Sequence, residues 1–298
     1  MDGKFKEYSK YLKKEKGATE NTIVAYIRDL KAFDKYMEKE NRTIDDANKT
    51  DVLAYLLSLN KEGKSKATSN RKLASLRTYF SWLINQGKMA EDPTKDIKSP
   101  RAERRELEYL SLSEVEQLLK EPDNSIKGIR DRAILEVLYG TGMRVNELID
   151  LNYTDLNLKM GYISCAGTHG KARIVPLGSY AKKAVEDYIL KSRAALLRSE
   201  ERDRSDAVAL FVNYSGERFT RQGLWKVLKK YGENLGIEDR LSPHVLRTSF
   251  AVHMIQNGAD LKTLQELMGY DDMQAMQVYM QVSKNRIKDV YDKTHPRA

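Results

Sequence analysis

The apolar residues of the first third of the chain repeat at helical spacing. Thr22, Ile23, Tyr26, Ile27, Leu30, Phe33 and Met37 recur three and four positions apart. That puts them on one face of a helix and does not suit a strand, whose side chains alternate every residue. Ahead of them, Tyr8, Tyr11 and Leu12 share a face before a turn at Gly17-Ala18-Thr19. Thr50-Asp51 opens a short helix through Leu59, and Lys61–Lys66 is a charged turn. A further helix carries Leu73, Leu76, Phe80 and Leu83 inward and stops near Gly87. Four helices of this length predict a small bundle core.

The period changes only once. Tyr162–Cys165 and Ala172–Val175 read as two strands joined by the turn AGTHGK. Before them, Ser111-Leu112-Ser113-Glu114 forms a capping box ahead of an apolar run. A helix from Gly128 to Tyr139 is broken at Gly140-Thr141-Gly142, and the next begins at Arg144. After the strands, helices are expected at 179–198, 220–234, 243–257, 260–268 and 272–280, with a last one near 283–292. The predicted fold class is mainly α with one small antiparallel sheet.

A length of 298 residues predicts two domains. The stretch PTKDIKSPRAERR, from Pro93 to Arg105, has two prolines and little apolar content, and reads as a linker. We place a helical domain at 1–98, the linker at 99–108 and a second domain at 109–298. The first 100 residues hold 21 Lys+Arg and 15 Asp+Glu; the other 198 hold 31 and 28. Positive charge is therefore denser on the smaller half. A net charge of +9 suits a polyanion partner.

Other classes are disfavoured. Cys165 is the only cysteine, so no intramolecular disulfide can form, and a cytoplasmic chain is expected. One cysteine and four scattered histidines offer no zinc-ligand spacing, so neither metal nor cofactor is expected. The opening MDGKFKEYSKYLKKEKG has no apolar core of the kind a secretory signal needs. No apolar run approaches the roughly 20 residues of a membrane span, so no membrane partner is expected.

Several segments could carry chemistry. In SPHVLRTSF, Ser242 is a good N-cap and Pro243 suits the first helical turn. His244 and Arg247 then stand three apart, near a helix end that favours anions. In GTGMRVNEL, Arg144 sits between apolar neighbours and needs a partner, which Glu147 one turn on could supply. THGKARIVPL puts Lys171 at the tip of the predicted hairpin. GYDDMQAMQVYM holds two phenols, Tyr270 and Tyr279, nine residues apart. Taken singly, each admits an ordinary reading as an ion pair or a solvated side chain. His253 fits packing in its helix, and Trp82 and Trp225 fall in apolar patterns expected to be core.

In this order along the chain, R-x-x-E, G-K-x-R-x-V-P-L, H-x-x-R and a tyrosine 32 residues further on resemble the tyrosine recombinases, the phage integrase family. N-T-I-x-A-Y-x-R-D-L in the first half and a later D-P add to the resemblance, which covers nearly the whole chain. Length and layout are most similar to Xer-type recombinases and simple mobile-element integrases. The resemblance implies a SAM-like core DNA-binding domain at 1–98. It makes 109–298 a catalytic domain with a C-terminal helix exchanged between protomers. It also implies that Arg144 and Arg247 clamp the scissile phosphate, that Lys171 protonates the leaving 5′ oxygen, and that His244 assists. Glu147 supports the site, Tyr279 is the nucleophile, and Tyr270 stands where the family usually has a second histidine. Thr248 stands where many members have another. The implied partners are double-stranded DNA and a homotetramer, or a heterotetramer with a related recombinase, in the cytoplasm on the nucleoid.

NKEGKSKATSNRKLASLR, from Asn60, holds six cations and one acid. Lys64, Lys66, Arg71, Lys72 and Arg77 are the expected phosphate contacts there. Two alternatives remain at this level. One is a nicking-closing enzyme with the same chemistry, and the other is a weak or non-catalytic DNA-binding factor of the same fold.

Overall fold

The computed structural model describes residues 5–99, 107–166, 172–197 and 208–283. The chain divides into two compact units, Met1–Arg104 and Arg105–Ala298.

The first unit is a helical bundle of α1 (Lys6–Lys14), α2 (Glu20–Glu38), α3 (Lys49–Lys61) and α4 (Lys66–Asn85). Side-chain caps start three of them. Thr19, Asn48 and Ser65 accept from Thr22, Asp51 and Thr68 backbone N–H groups, satisfying donors that the helix leaves free. The predicted stripe is the core: Ile23, Leu30, Phe33 and Met37 from α2 meet Leu73, Leu76 and Phe80 from α4. Each such side chain contributes about 1.5–3 kcal/mol by leaving water. Tyr8 meets Tyr79 edge to face at 5.1 Å, and Trp82 is core as expected. Thr94 and Ile97, inside the stretch that reads as a linker, are buried, and Ile97 joins this core.

The second unit is built around α6 (Ile126–Thr141). Ala133, Ile134, Leu135, Val137 and Leu138 are all buried, so this stretch is enclosed on most sides and the helix takes the centre. It packs on α8 (Ser179–Tyr188) and α11 (Pro243–Gln256). The other α-helices described are α5 (Leu112–Lys120), α7 (Val145–Asp150), α9 (Ala194–Leu197), α10 (Arg221–Leu235) and α12 (Leu261–Met268). The predicted capping box at Ser111 and Glu114 forms.

The sheet has three antiparallel strands in the order β1 (Leu156–Asn157), β2 (Tyr162–Ala166), β3 (Ala172–Pro176). The two-residue β1 is too short to leave an alternating pattern. In the register, Ile163 faces Val175 and Cys165 faces Arg173.

Three expectations need correcting. The helix expected at 179–198 passes through a π-helical stretch at Ile189–Arg193 before α9. The segment expected as an α-helix at 272–280 is a 3-10 helix, Met273–Tyr279. Residues three apart eclipse in that geometry, which brings Met276 and Tyr279 inward together. Trp225 is 51% exposed rather than core. The buried face of α10 is Leu224, Leu228 and Tyr231, and Trp225 points about 100° away from Leu224. The last expected helix, near 283–292, lies almost wholly outside the described residues.

Candidate active site

The left-handed C-cap of α6 and the N-terminus of α7 place Arg144. Gly142 has φ +58, and a Cβ there would come within 2.2 Å of the Phe250 ring. Only glycine fits such a turn without strain. Arg144 follows as the residue before α7, and the Glu147 carboxylate accepts from its backbone N–H at 2.7 Å. The same carboxylate takes the Arg144 guanidinium at 3.1 Å, so the partner expected from sequence is in place.

Arg247 is the fifth residue of α11, whose start Ser242 caps by accepting from the Val245 N–H. Its side chain is buried, with Nη1 donating to the Gly142 carbonyl and Nη2 to the Met268 carbonyl at 2.7 Å. His244, on the same turn, is exposed.

The end of α12 brings these arginines together. A helix leaves its last carbonyls without intrahelical partners. Here Gly269, in the left-handed conformation at φ +62, caps the helix. The carbonyls of Leu267, Met268 and Gly269 accept from Arg173 Nε at 2.9 Å, Arg247 Nη2 at 2.7 Å and Arg144 Nη2 at 2.8 Å. Three consecutive carbonyls thus hold three arginines. Cations suit the negative end of a helix dipole.

Tyr270 follows at once. Its ring lies 5.2 Å from the Arg144 guanidinium carbon and 4.9 Å from that of Arg247, so both cations meet an aromatic face. Tyr279 is only 2% exposed, in a cluster with Phe250, Leu264, Met268 and Met276. Burial first, and neighbouring Tyr270 after it, push its phenol up to about 12. The Thr248 hydroxyl and the Arg247 charge work in the opposite direction. Thr248 is itself buried.

Burial alone would raise the Glu147 carboxyl. Bonds from Arg173 and the Arg144 backbone, with the charges of both arginines, outweigh it and hold the group below the ordinary glutamate value. Arg173 donates to both Glu147 oxygens, at 2.7 and 2.8 Å. Sequence reasoning gave Arg173 no role of its own. The signal was in the strand: Ile174 is exposed while Arg173 and Val175 share the inward face, so a cation stands where an apolar residue belongs.

The structure therefore brings together Arg144, Glu147, Arg247, Tyr270 and Tyr279. Lys171 lies outside the described residues.

In the first unit, Lys64 and Lys66 are exposed. Arg71 pairs with Asp29, which is 2% exposed, and Lys72 lies 3.5 Å from the same carboxylate. Arg77 donates to the Ile97 carbonyl and, at 3.2 Å, to Ser99. Arg71, Lys72 and Arg77 thus have partners within the chain. A second cationic surface, which sequence reasoning did not single out, lies on α10: Arg221, Gln222, Trp225, Lys226 and Lys229 are all exposed. His253 is buried and bonded to the Tyr139 hydroxyl at 2.9 Å, a packing role as expected.

Two arginines thus lie against one tyrosine ring, with a second phenol beside them, on a mainly helical scaffold. Cations and a phenol gathered in one place are the residue types that covalent phosphoryl transfer uses. The match to known proteins makes the class specific. The phage integrase family model matches residues 108–286, and the phage integrase N-terminal SAM-like domain matches residues 5–87. The chain belongs to the phage integrase family, the tyrosine recombinases. It is 42% identical to the tyrosine recombinase XerD of Oceanobacillus iheyensis over 98% of both chains. It is 43% identical to that of Listeria innocua over the whole of both. Among solved structures, XerH recombinase in a post-cleavage complex with difH superposes with a TM-score of 0.75 at 23% identity, covering 94% of this chain and 82% of that one. The Tn1549 transposon integrase with transposon-end DNA gives 0.74 at 18%, covering 96% and 98%.

Proposed function

We propose that this chain is a site-specific DNA recombinase that cuts and rejoins strands through a 3′-phosphotyrosine. The observation that carries the reading is the convergence of Arg144 and Arg247 on one helix end, with Tyr270 between them and Tyr279 alongside. The family match and the 42–43% identity to named tyrosine recombinases support it.

In this mechanism the Tyr279 oxygen attacks the scissile phosphorus and gives up its proton to solvent. The bond from phosphorus to the 5′ oxygen breaks, and that oxygen gains a proton. Lys171 is assigned as the donor on the strength of the family resemblance, and His244 assists. Arg144 and Arg247 neutralise the non-bridging oxygens as charge gathers on them. Tyr270 offers one hydroxyl to the same phosphate; unlike imidazole, it carries no positive charge near neutral pH. The phosphotyrosyl ester resembles the diester it replaces, so a free 5′ hydroxyl can reverse the step without ATP. Tyr279 is buried as described, so engaging DNA has to bring its oxygen to the phosphate.

Duplex DNA is the proposed partner, held through Lys64 and Lys66 in the first unit and the α10 face in the second. Arg221 and Gln222, at the start of α10, have the donors to read base edges in a major groove. Arg71, Lys72 and Arg77 contribute as anchored cations. The linker at 99–108 joins the two units. Assembly as a homotetramer, or a heterotetramer with a related recombinase, fits the lambda integrase tetramer on a Holliday junction, which superposes with a TM-score of 0.66 at 17% identity. No described helix is long and apolar enough to cross a membrane.

The test uses a duplex bearing the site recovered from the protein's bound DNA, nicked beside the scissile phosphate so that adducts accumulate. The wild type should form a covalent protein–DNA adduct. Tyr279→Phe should form none, while Tyr270→Phe should only slow the reaction. An adduct with Tyr279→Phe sinks the assignment. Buried as here or released toward DNA, a phenol is largely protonated near neutral pH, so its ionised fraction grows with pH and the adduct rate should climb from pH 6 to pH 8. A flat profile over that window would argue against phenol deprotonation as a limiting step.

A further inference from the structure

Arg173 is the one arginine of the cluster that the proposed reaction leaves unused. Its strand register places it opposite Cys165, on the face where Ile163 and Val175 are buried. A cation there must be paired or it destabilises the fold. It is paired twice: both ends of the guanidinium fork go to Glu147, and Nε goes to the Leu267 carbonyl. Glu147 in turn holds both the backbone and the guanidinium of Arg144. The next two carbonyls after Leu267 hold Arg247 and Arg144. Arg173 is thus bonded directly to both supports of the two clamping arginines.

The packing is close. A Cβ at Gly269 would lie 2.7 Å from Arg173 Nη1. The backbone turn that leads into Tyr270 therefore rests on this guanidinium. A shift of Arg173 moves the end of α12, and with it the carbonyls that aim Arg144 and Arg247.

We propose that Arg173 is a positioning residue for the phosphate clamp: by tying Glu147 to the end of α12, it holds Arg144 and Arg247 in register for a single phosphate. The proposal rests on the recombinase reading above. Lysine cannot replace it, because an ammonium opposite Glu147 does not also present a planar fork and a separate Nε donor to Leu267.

The experiment compares wild type, Arg173→Lys and Arg173→Gln on the nicked duplex. One substrate has an ordinary scissile phosphate and the other a methylphosphonate, in which a methyl group replaces one anionic oxygen. With that charge gone, the aim of the two arginines matters less. Removing an electrostatic donor outright slows an enzyme by about 10²–10³, so misaiming two of them should cost about 10–100-fold. Both variants should melt cooperatively and bind the duplex within about twofold of wild type. On the phosphate they should form adduct about 10–100 times more slowly, and on the methylphosphonate the gap should shrink to about threefold. Equal rates on the ordinary phosphate overturn the proposal. An undiminished loss on the methylphosphonate overturns it too, because it shows general damage rather than a misplaced clamp. Should Arg173→Gln fail to fold, Arg173→Lys decides alone by the same two comparisons. A wild type that forms no adduct on either substrate overturns the recombinase reading, and this proposal with it.

Discussion

At the scale of single residues, charge placement separates the two units. In the first, Asp29 is a buried carboxylate that Arg71, Lys72 and Ser75 all reach. Breaking such a pair leaves the cations without their partner, and the cost falls on stability before it falls on DNA binding. Asp29→Asn should lower stability by about 2–3 kcal/mol, at the low side for a buried pair because Arg71 keeps contact with solvent. Urea unfolding of the variant checks this, and an unchanged midpoint would show that the carboxylate is dispensable. Much of the residue-level site was legible. Arg144, Glu147, Arg247 and the two tyrosines were singled out from local motifs, and their chemistry follows from residue type. Arg173 and Asp29 were not, because their importance lies in partners 26 and 42 positions away. The strand's alternation marks Arg173 as an inward cation, but no local pattern says which distant residue it bonds.

At the scale of elements, helix ends do most of the placing. Gly142 ends α6 so that Arg144 can start α7, and Gly269 ends α12 so that Tyr270 can turn over the arginines. The Gly140-Thr141-Gly142 break was readable because glycine is the usual left-handed cap. What the break is for was not readable, since Phe250 fills the space a Cβ would need from another helix. Gly142→Ala should therefore destabilise the second unit twice over. The left-handed conformation costs about 1–2 kcal/mol and the overpacked ring about 1–3 more. A thermal melt should show a clear drop, and an alanine variant that melts like wild type would contradict the geometry. The 3-10 form of Met273–Tyr279 was missed because its apolar residues suit either helix type, and only the pocket that receives Met276 and Tyr279 selects the tighter one.

At the scale of the molecule, each unit has its own closed core. One cluster serves the helices of residues 5–99, and two serve the second unit. Separate cores predict separate folding. Fragments 1–104 and 105–298 should each be helical by circular dichroism and each show its own cooperative melt. A fragment without a transition would mean that its core needs the other unit. The sequence by itself determined the elements and their chemical cast: helical periodicity, one change of period at a hairpin, capping signals, and arginines and phenols in a recognisable order. Those features are local, so they can be read along the chain. Only the tertiary structure decided that three consecutive carbonyls at the end of α12 would gather three arginines from three other elements, that Tyr279 would be buried, and that Trp225 would not. Each depends on which surfaces meet, and that is set by packing between residues far apart in the chain.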